Sequence, residues 1–186
     1  HAATRAGKFR DQMVPITADP DDPTGPVIDS DEGIREHIDP AKMASLKAVF
    51  GADGRTTAAN SSQISDGAAA LLIADREYAE RNGLIPRARF RALSVAAADP
   101  IIQFTAILDA AHKALGRSGL AVEEIDLFEV NEAFAGVPLI FQREFGVPDD
   151  KLTDLLCELE RSGKRFGLQT VCEATGTANA TIIERI

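Results

Sequence analysis

From Arg87 to the end of the chain, the spacing of apolar residues switches repeatedly between the two periods open to secondary structure. No other feature limits the fold as strongly. Arg87 to Ala97 alternates, with Arg87, Arg89 and Arg91 on one face and Ala88, Phe90 and Ala92 on the other, the pattern of a half-exposed strand. Phe104, Ile107, Leu108, Ala111 and Leu115 follow at helical spacing and are stopped by Gly116 and Gly119. Ile125 to Val130 is a short apolar strand interrupted by Asp126 and Glu129. The next helix carries Phe134, Val137, Phe141 and Phe145 on one face, and Pro138 inside it predicts a local kink. A last helix from about Leu152 shows Leu155, Leu156 and Leu159. Strands around Phe166 to Val171 and Thr181 to Ile186 complete the series. Strand, helix, strand, helix, helix, strand, strand is an α/β layer arrangement.

Upstream, the pattern is less regular. Residues 14 to 33 mix Pro15, Pro20, Pro23 and Pro26 with Asp19, Asp21, Asp22, Asp29 and Asp31, which favours turns in a surface loop. Asp39 followed by Pro40 marks a helix start, with Met43, Leu46 and Val49 as its apolar stripe and an end near Gly51. Ala68 to Ala74 is small and apolar throughout, as in a strand buried on both faces, and Asp75 then caps a helix running to Asn82-Gly83. The first residues, His-Ala-Ala-Thr-Arg-Ala-Gly-Lys, read as the interior of a helix and lack the apolar centre of a signal peptide.

A chain of 186 residues that is 45% hydrophobic can build a real core. With 20 basic and 29 acidic residues its formal charge is −9, which argues against a nucleic-acid surface. No apolar run approaches the ~20 residues that cross a bilayer as a helix, so no membrane partner is expected. Two cysteines, Cys157 and Cys172, make no disulfide framework, and a reducing cytoplasm is the expected compartment. No metal constellation, phosphate loop or dinucleotide fingerprint is written in the chain.

Three segments carry chemistry. Val130-Asn131-Glu132-Ala133-Phe134-Ala135 puts a polar amide at the end of one apolar strand. Gln169-Thr170-Val171-Cys172-Glu173-Ala174-Thr175-Gly176-Thr177-Ala178-Asn179-Ala180-Thr181 puts a lone thiol at the end of another. Ala59-Asn60-Ser61-Ser62-Gln63-Ile64-Ser65-Asp66-Gly67-Ala68-Ala69-Ala70 lies upstream of both. Together they closely resemble the C-terminal half of a thiolase, and the likeness runs through nearly the whole chain. The resemblance implies a thiolase-like α/β fold with a mixed sheet and packed helices. On that reading residues 1–57 are the end of a loop region, 58–84 the last strand and helix of the N-terminal thiolase half, and 85–186 the C-terminal thiolase domain.

The implied function is an acyl-CoA acyltransferase of fatty acid metabolism and β-oxidation. It forms or thiolytically cleaves 3-ketoacyl-CoA through an acyl-cysteine, with CoA and acyl-CoA as substrates, no cofactor or metal, and a homodimer or homotetramer as the assembly. Such chemistry needs a thiol to hold the acyl group, a base for the Cα proton, and donors for each oxyanion. Cys172 matches the family cysteine that takes the Cα proton in synthesis and returns it in thiolysis. Taken alone, such a thiol is more often a small buried hydrophobe; the Cys-Glu-x-x-Gly-x-Ala-Asn-Ala-Thr context, with Gly176 supporting the turn, favours function. Asn131 matches the asparagine that orients an oxyanion-hole water, and its plainer reading is an N-cap on the phenylalanine helix. Glu132 is expected in the first turn of that helix, buttressing the site. Ser62 matches a serine that contacts the pantetheine arm of CoA. Cys157 and His112 sit on helices without a motif and read as structural.

The chain also departs from the family pattern. The family's nucleophilic cysteine belongs to its N-terminal half, and its catalytic histidine sits in a Gly-His-Pro segment; none of His1, His37 and His112 is followed by proline. Pro148-Asp149-Asp150-Lys151 abuts Leu152-Thr153-Asp154-Leu155 where the family has a glycine-rich stretch, so residues are expected to be missing between about Lys151 and Leu152. Thr175 stands where glycine is usual, and a β-branched side chain resists φ > 0. Asp99-Pro100-Ile101-Ile102-Gln103-Phe104 replaces a Gly-Pro turn. An enzymatic reading therefore requires the nucleophile and the histidine in segments outside this sequence. Its alternative is a non-catalytic thiolase-like subunit that binds CoA or lipid.

Overall fold

A computed structural model describes residues 1–186, which divide into two compact units, His1–Lys47 and Ala48–Ile186. The first unit holds a short helix α1 (Ala2–Arg5), a single-turn 3-10 helix (Arg10–Gln12), a two-residue antiparallel ladder of β1 (Ile16–Thr17) and β2 (Val27–Ile28), and helix α2 (Pro40–Ala44). Asp39 caps α2 as the sequence predicts, its Oδ1 accepting from the amides of Ala41 and Lys42 at 3.0 Å. The helix is far shorter than the stretch to Gly51. Its stripe residues Met43 and Val49 are exposed, and without a core to pack on a short helix has little to sustain it.

The second unit is built on a four-stranded mixed sheet in the order β3 (Ala88–Ala97), β6 (Thr177–Arg185), β5 (Phe166–Cys172), β4 (Leu127–Val130). The β3–β6 and β6–β5 pairs are antiparallel and β5–β4 is parallel. Helix α4 (Ala106–Ser118) lies on one face. Its buried stripe of Ala106, Ile107, Ala110, Ala111, Ala114 and Leu115 meets Ala92, Ala178 and Ala180 on the strands, small residues on both sides that let helix and sheet pack closely. Ser94, 5% exposed in this layer, donates to the Ala110 carbonyl at 2.7 Å and so buries no idle hydroxyl. Helix α5 (Gly136–Phe145) adds Val137 and Phe141, the latter edge-on to Phe128 with ring centroids 5.7 Å apart. Across the sheet, α6 (Leu156–Ser162) puts Leu159 beside Leu127 and Leu155 in a second apolar cluster. No helix in the chain is long and apolar enough to cross a membrane.

Three expectations need correction. Ala68–Ala74 is not a strand: it is irregular and makes no hydrogen bond, and Leu71, Leu72 and Ile73 are 73%, 80% and 68% exposed. Apolar composition creates the demand for a sheet, but a strand exists only beside a partner, and no strand of this chain pairs with it. The following helix α3 (Arg76–Arg81) does form, with Asp75 accepting from the Tyr78 amide at 2.8 Å. Pro138 causes no kink, because it is the third residue of α5, in the first turn where amides have no intrahelical acceptor. The last helix begins at Leu156 instead of Leu152, and the preceding residues form a 3-10 turn, Asp149–Lys151, and a parallel bridge from Leu152 to Phe128.

The alternating arginines of β3 also gain a purpose. Opposite them Glu184, whose side chain is 6% exposed, receives Arg89 Nη2 at 2.7 Å, Arg165 Nη2 at 2.6 Å and Arg91 Nη1 at 3.4 Å. Burial by itself pushes this carboxyl up; the hydrogen bonds from Arg165 and Arg89, with their charges, more than offset it and hold it below the usual glutamate range.

Candidate functional site at the ends of β4 and β5

Two parallel neighbours bring the amide and the thiol together. Leu127–Val130 is in register with Gly167–Thr170, and the Asn131 amide extends the ladder by donating to the Thr170 carbonyl at 3.0 Å. Strand β5 runs on to Cys172. At this shared strand end Asn131 Nδ2 donates to Cys172 Sγ at 3.7 Å, a reasonable length for a large sulfur acceptor. The thiol is 8% exposed and the asparagine is open to solvent. The N-cap reading of Asn131 fails: α5 starts four residues after Glu132, and its cap position is Ala135. For the same reason Glu132 is not in a first helical turn.

The hairpin after Cys172 is tightly determined. Thr175 adopts φ 64°, ψ 24°, so a β-branched residue does occupy the left-handed conformation that the sequence argued against. Gly176 follows at φ 80°, and a Cβ there would lie 2.9 Å from the carbonyl oxygens of both Ala98 and Asp99. Its own carbonyl accepts from the Ala98 amide at 2.8 Å, so the loop is pinned where β3 ends. Only glycine fits at 176.

Ser62 arrives from a different direction. Ser61 forms an antiparallel bridge with Phe134, the Ser62 amide donates to Ala133 at 3.0 Å, and the Ala135 amide donates to Asn60 at 2.9 Å. Asn60 is itself locked, accepting from the Thr57 amide at 2.8 Å and donating to the Arg55 carbonyl at 2.9 Å. The result is an open recess of about 340 Å³ lined by Ala59, Asn60, Ser61, Ser62, Gln63, Glu132 and Ala135. Ser62, Gln63 and Glu132 make no side-chain hydrogen bond inside the chain, which leaves a hydroxyl, an amide and a carboxylate for a ligand. Asn131 and Cys172 do not line this recess; its link to them is the peptide from Asn131 to Glu132.

Two further residues escaped the sequence reading. Glu129, taken as an interruption of a strand, accepts from Gln169 Nε2 at 2.7 Å and from the Leu155 amide at 3.0 Å, tying the segment after Lys151 to β4. Its signal was a carboxylate in an apolar strand, which needs a partner. Arg87 reaches Glu160 at 2.8 and 2.5 Å and Cys157 Sγ at 3.4 Å, which gives the second thiol a structural contact. His112, the one histidine of the second unit, contacts Glu144 at 2.9 Å and the ring of Phe145.

A mixed sheet clad by helices, with an asparagine and a cysteine converging from adjacent strand ends, defines an α/β protein that sets an amide beside a thiol. The family model described as "Thiolase, N-terminal domain" matches residues 1–77 and "Thiolase, C-terminal domain" matches 84–153, and the chain belongs to the thiolase family. A steroid 3-ketoacyl-CoA thiolase, FadA6, of Mycobacterium tuberculosis is 42% identical over 206 aligned positions that take in all of this chain and 49% of the relative. A 3-ketoacyl-CoA thiolase of Serratia proteamaculans is 37% identical, with 100% of this chain and 54% of the relative covered. Among solved structures, human mitochondrial 3-ketoacyl-CoA thiolase superposes with a TM-score of 0.92 at 30% identity over 99% of this chain and 51% of that one. Bacillus anthracis acetyl-CoA acetyltransferase gives 0.92 at 33% identity over 100% and 52%.

The chain thus spans about half the length of the relatives it matches. Aligning its 186 residues takes 206 positions against FadA6, so at least 20 of them face no residue of this chain. The C-terminal family match stops at residue 153.

Proposed function

We propose that these residues supply the acid/base side of a thiolase active site, in an enzyme that forms or thiolytically cleaves 3-ketoacyl-CoA. The observation that supports this most is the 3.7 Å contact of Asn131 Nδ2 with Cys172 Sγ at a shared strand end. In the synthetic direction the Cys172 thiolate removes a Cα proton from acetyl-CoA, and the carbanion attacks an acyl group held as a thioester on a second cysteine, whose sulfur leaves as thiolate. In cleavage the Cys172 thiol returns its proton to Cα of the departing acetyl-CoA. The Asn131 amide, already aimed at the sulfur, orients a water toward the thioester oxygen where negative charge develops. The second cysteine and a histidine come from outside this sequence.

Ser62 and the recess beside Glu132 take the pantetheine arm of CoA, whose amides and carbonyls match a hydroxyl, an amide and a carboxylate. No other cofactor is needed for this chemistry, and a homodimer or homotetramer belongs to the same proposal. The bacterial relatives and the two free cysteines support the cytoplasm as compartment, although relatives in Arabidopsis thaliana and Petunia hybrida are peroxisomal.

The test has two parts. Titrating CoA into the 186-residue chain should give saturable heat, weakened several-fold by Ser62→Ala. A complete protein containing this sequence, with the nucleophilic cysteine and histidine in place, should cleave acetoacetyl-CoA; Cys172→Ala should abolish turnover and Asn131→Ala lower kcat about 100-fold. No CoA-dependent cleavage by the complete protein refutes the assignment.

A further inference from the structure

We infer that Glu173 and Asn179 form a positioning couple that ties down the strand end carrying Cys172 from the sheet face opposite the sulfur, so that both act through the backbone and neither contacts substrate. This rests on the reading of Cys172 as the acid/base group, which it deepens. Glu173 Oε1 accepts from Asn179 Nδ2 at 2.9 Å across the mouth of the turn. Its Oε2 accepts from Thr177 Oγ1 at 3.4 Å, and its amide donates to the Thr177 carbonyl at 2.9 Å. The Asn179 carbonyl faces the other way and accepts from Thr170 Oγ1, fully buried, at 2.8 Å. Asn179 is therefore anchored to β5 through its backbone while its side chain holds the residue next to the thiol.

The rest of the loop shows why such a latch is needed. Thr175 is held in a left-handed conformation that its β-branched side chain disfavours, so the turn by itself tends to open. Gly176 fixes the far end of the loop on the backbone of Ala98 to Pro100, and the near end, at Cys172 and Glu173, is held by the last ladder contacts with Thr177 and Ala178 and by the couple. Register places Cys172 opposite Ala178 and Val171 opposite Asn179, so Asn179 lies one step along the ladder from Cys172 with its side chain on the other face of the sheet. Releasing the couple frees the strand end at the point where the thiol must stay aligned with Asn131.

The thiol is 8% exposed at the strand end, so loosening of the hairpin raises its exposure and its alkylation rate reports that loosening. Iodoacetamide labelling of Cys172 in the intact chain, followed at that peptide by mass spectrometry, measures it without turnover. Asn179→Ala removes one charge-assisted hydrogen bond and should raise the rate about five-fold. Asn179→Asp keeps the shape but sets a carboxylate against a carboxylate, and should raise it further. Adding Glu173→Gln to Asn179→Asp restores a donor to an acceptor and should return the rate to within about two-fold of the parent. A residue that merely packs would leave Asn179→Asp at the parental rate. The proposal is overturned if Asn179→Ala and Asn179→Asp label at the parental rate, or if the double variant labels no more slowly than Asn179→Asp. Circular dichroism of each variant separates loop opening from global unfolding: labelling that tracks lost global structure also overturns it. Labelling does not depend on thiolase activity, so this result stands apart from failure of the acetoacetyl-CoA assay.

Discussion

Gly176→Ala offers a worked test of how the thiol loop is held. An L-residue at φ 80° carries a left-handed penalty of roughly 1–2 kcal/mol. The new methyl also lies 2.9 Å from the Ala98 and Asp99 carbonyl oxygens and 3.0 Å from Pro100 Cα, all backbone atoms that no rotamer change can move aside. Overpacking of this kind costs roughly 1–3 kcal/mol. Alanine stiffens the unfolded chain and returns about 0.4–1 kcal/mol, leaving a net loss of about 1–4.6 kcal/mol. Gly119, at φ 72° with no atom within 4 Å of the place a methyl would take, is the matched control and should lose only about 1 kcal/mol. Urea unfolding read by far-ultraviolet circular dichroism, with unchanged m-values, gives both numbers. If the two variants differ by less than about 0.5 kcal/mol, the close approach of the loop to Ala98–Pro100 is not what restricts residue 176.

Two further outcomes follow from the same geometry. Thr175→Gly relieves a left-handed penalty of roughly 1–2 kcal/mol but gives the unfolded chain about 0.5–1 kcal/mol of extra freedom, so urea unfolding should show a net gain of at most about 1.5 kcal/mol; a loss would mean that the threonine side chain holds the turn. Glu184 has a folded pKa below its unfolded value, so its contribution is fully present above the ordinary glutamate pKa of ~4.3 and is lost as pH falls through the lower folded value. Thermal melts of Glu184→Gln should accordingly lie below the parent at neutral pH and converge with it in acid, whereas a constant gap across that window would remove the arginine cluster as the cause.

Much of the site was legible in the chain. Asn131 and Cys172 each end an apolar run and stand in recognisable motifs, so both were picked out from the chain, while the parallel pairing that sets them side by side came from the sheet. Asp39 and Asp75 mark helix starts by chemistry that acts over three residues, and both caps formed. Where the reading failed, the deciding partner was remote. The strand character of Ala68–Ala74 needed a neighbour that this chain does not provide, and the purpose of Glu129 lay in Gln169 and Leu155, 40 and 26 residues away.

The order of elements, their caps and the residue types at the strand ends are set locally, because helical and extended periods and capping bonds involve residues a few positions apart. Which strands adjoin, that Thr175 accepts a left-handed backbone, and that Gly176 alone fits against Ala98–Pro100 were decided in three dimensions. Those outcomes depend on contacts between segments far apart in the chain, whose energies exist only once the sheet has assembled.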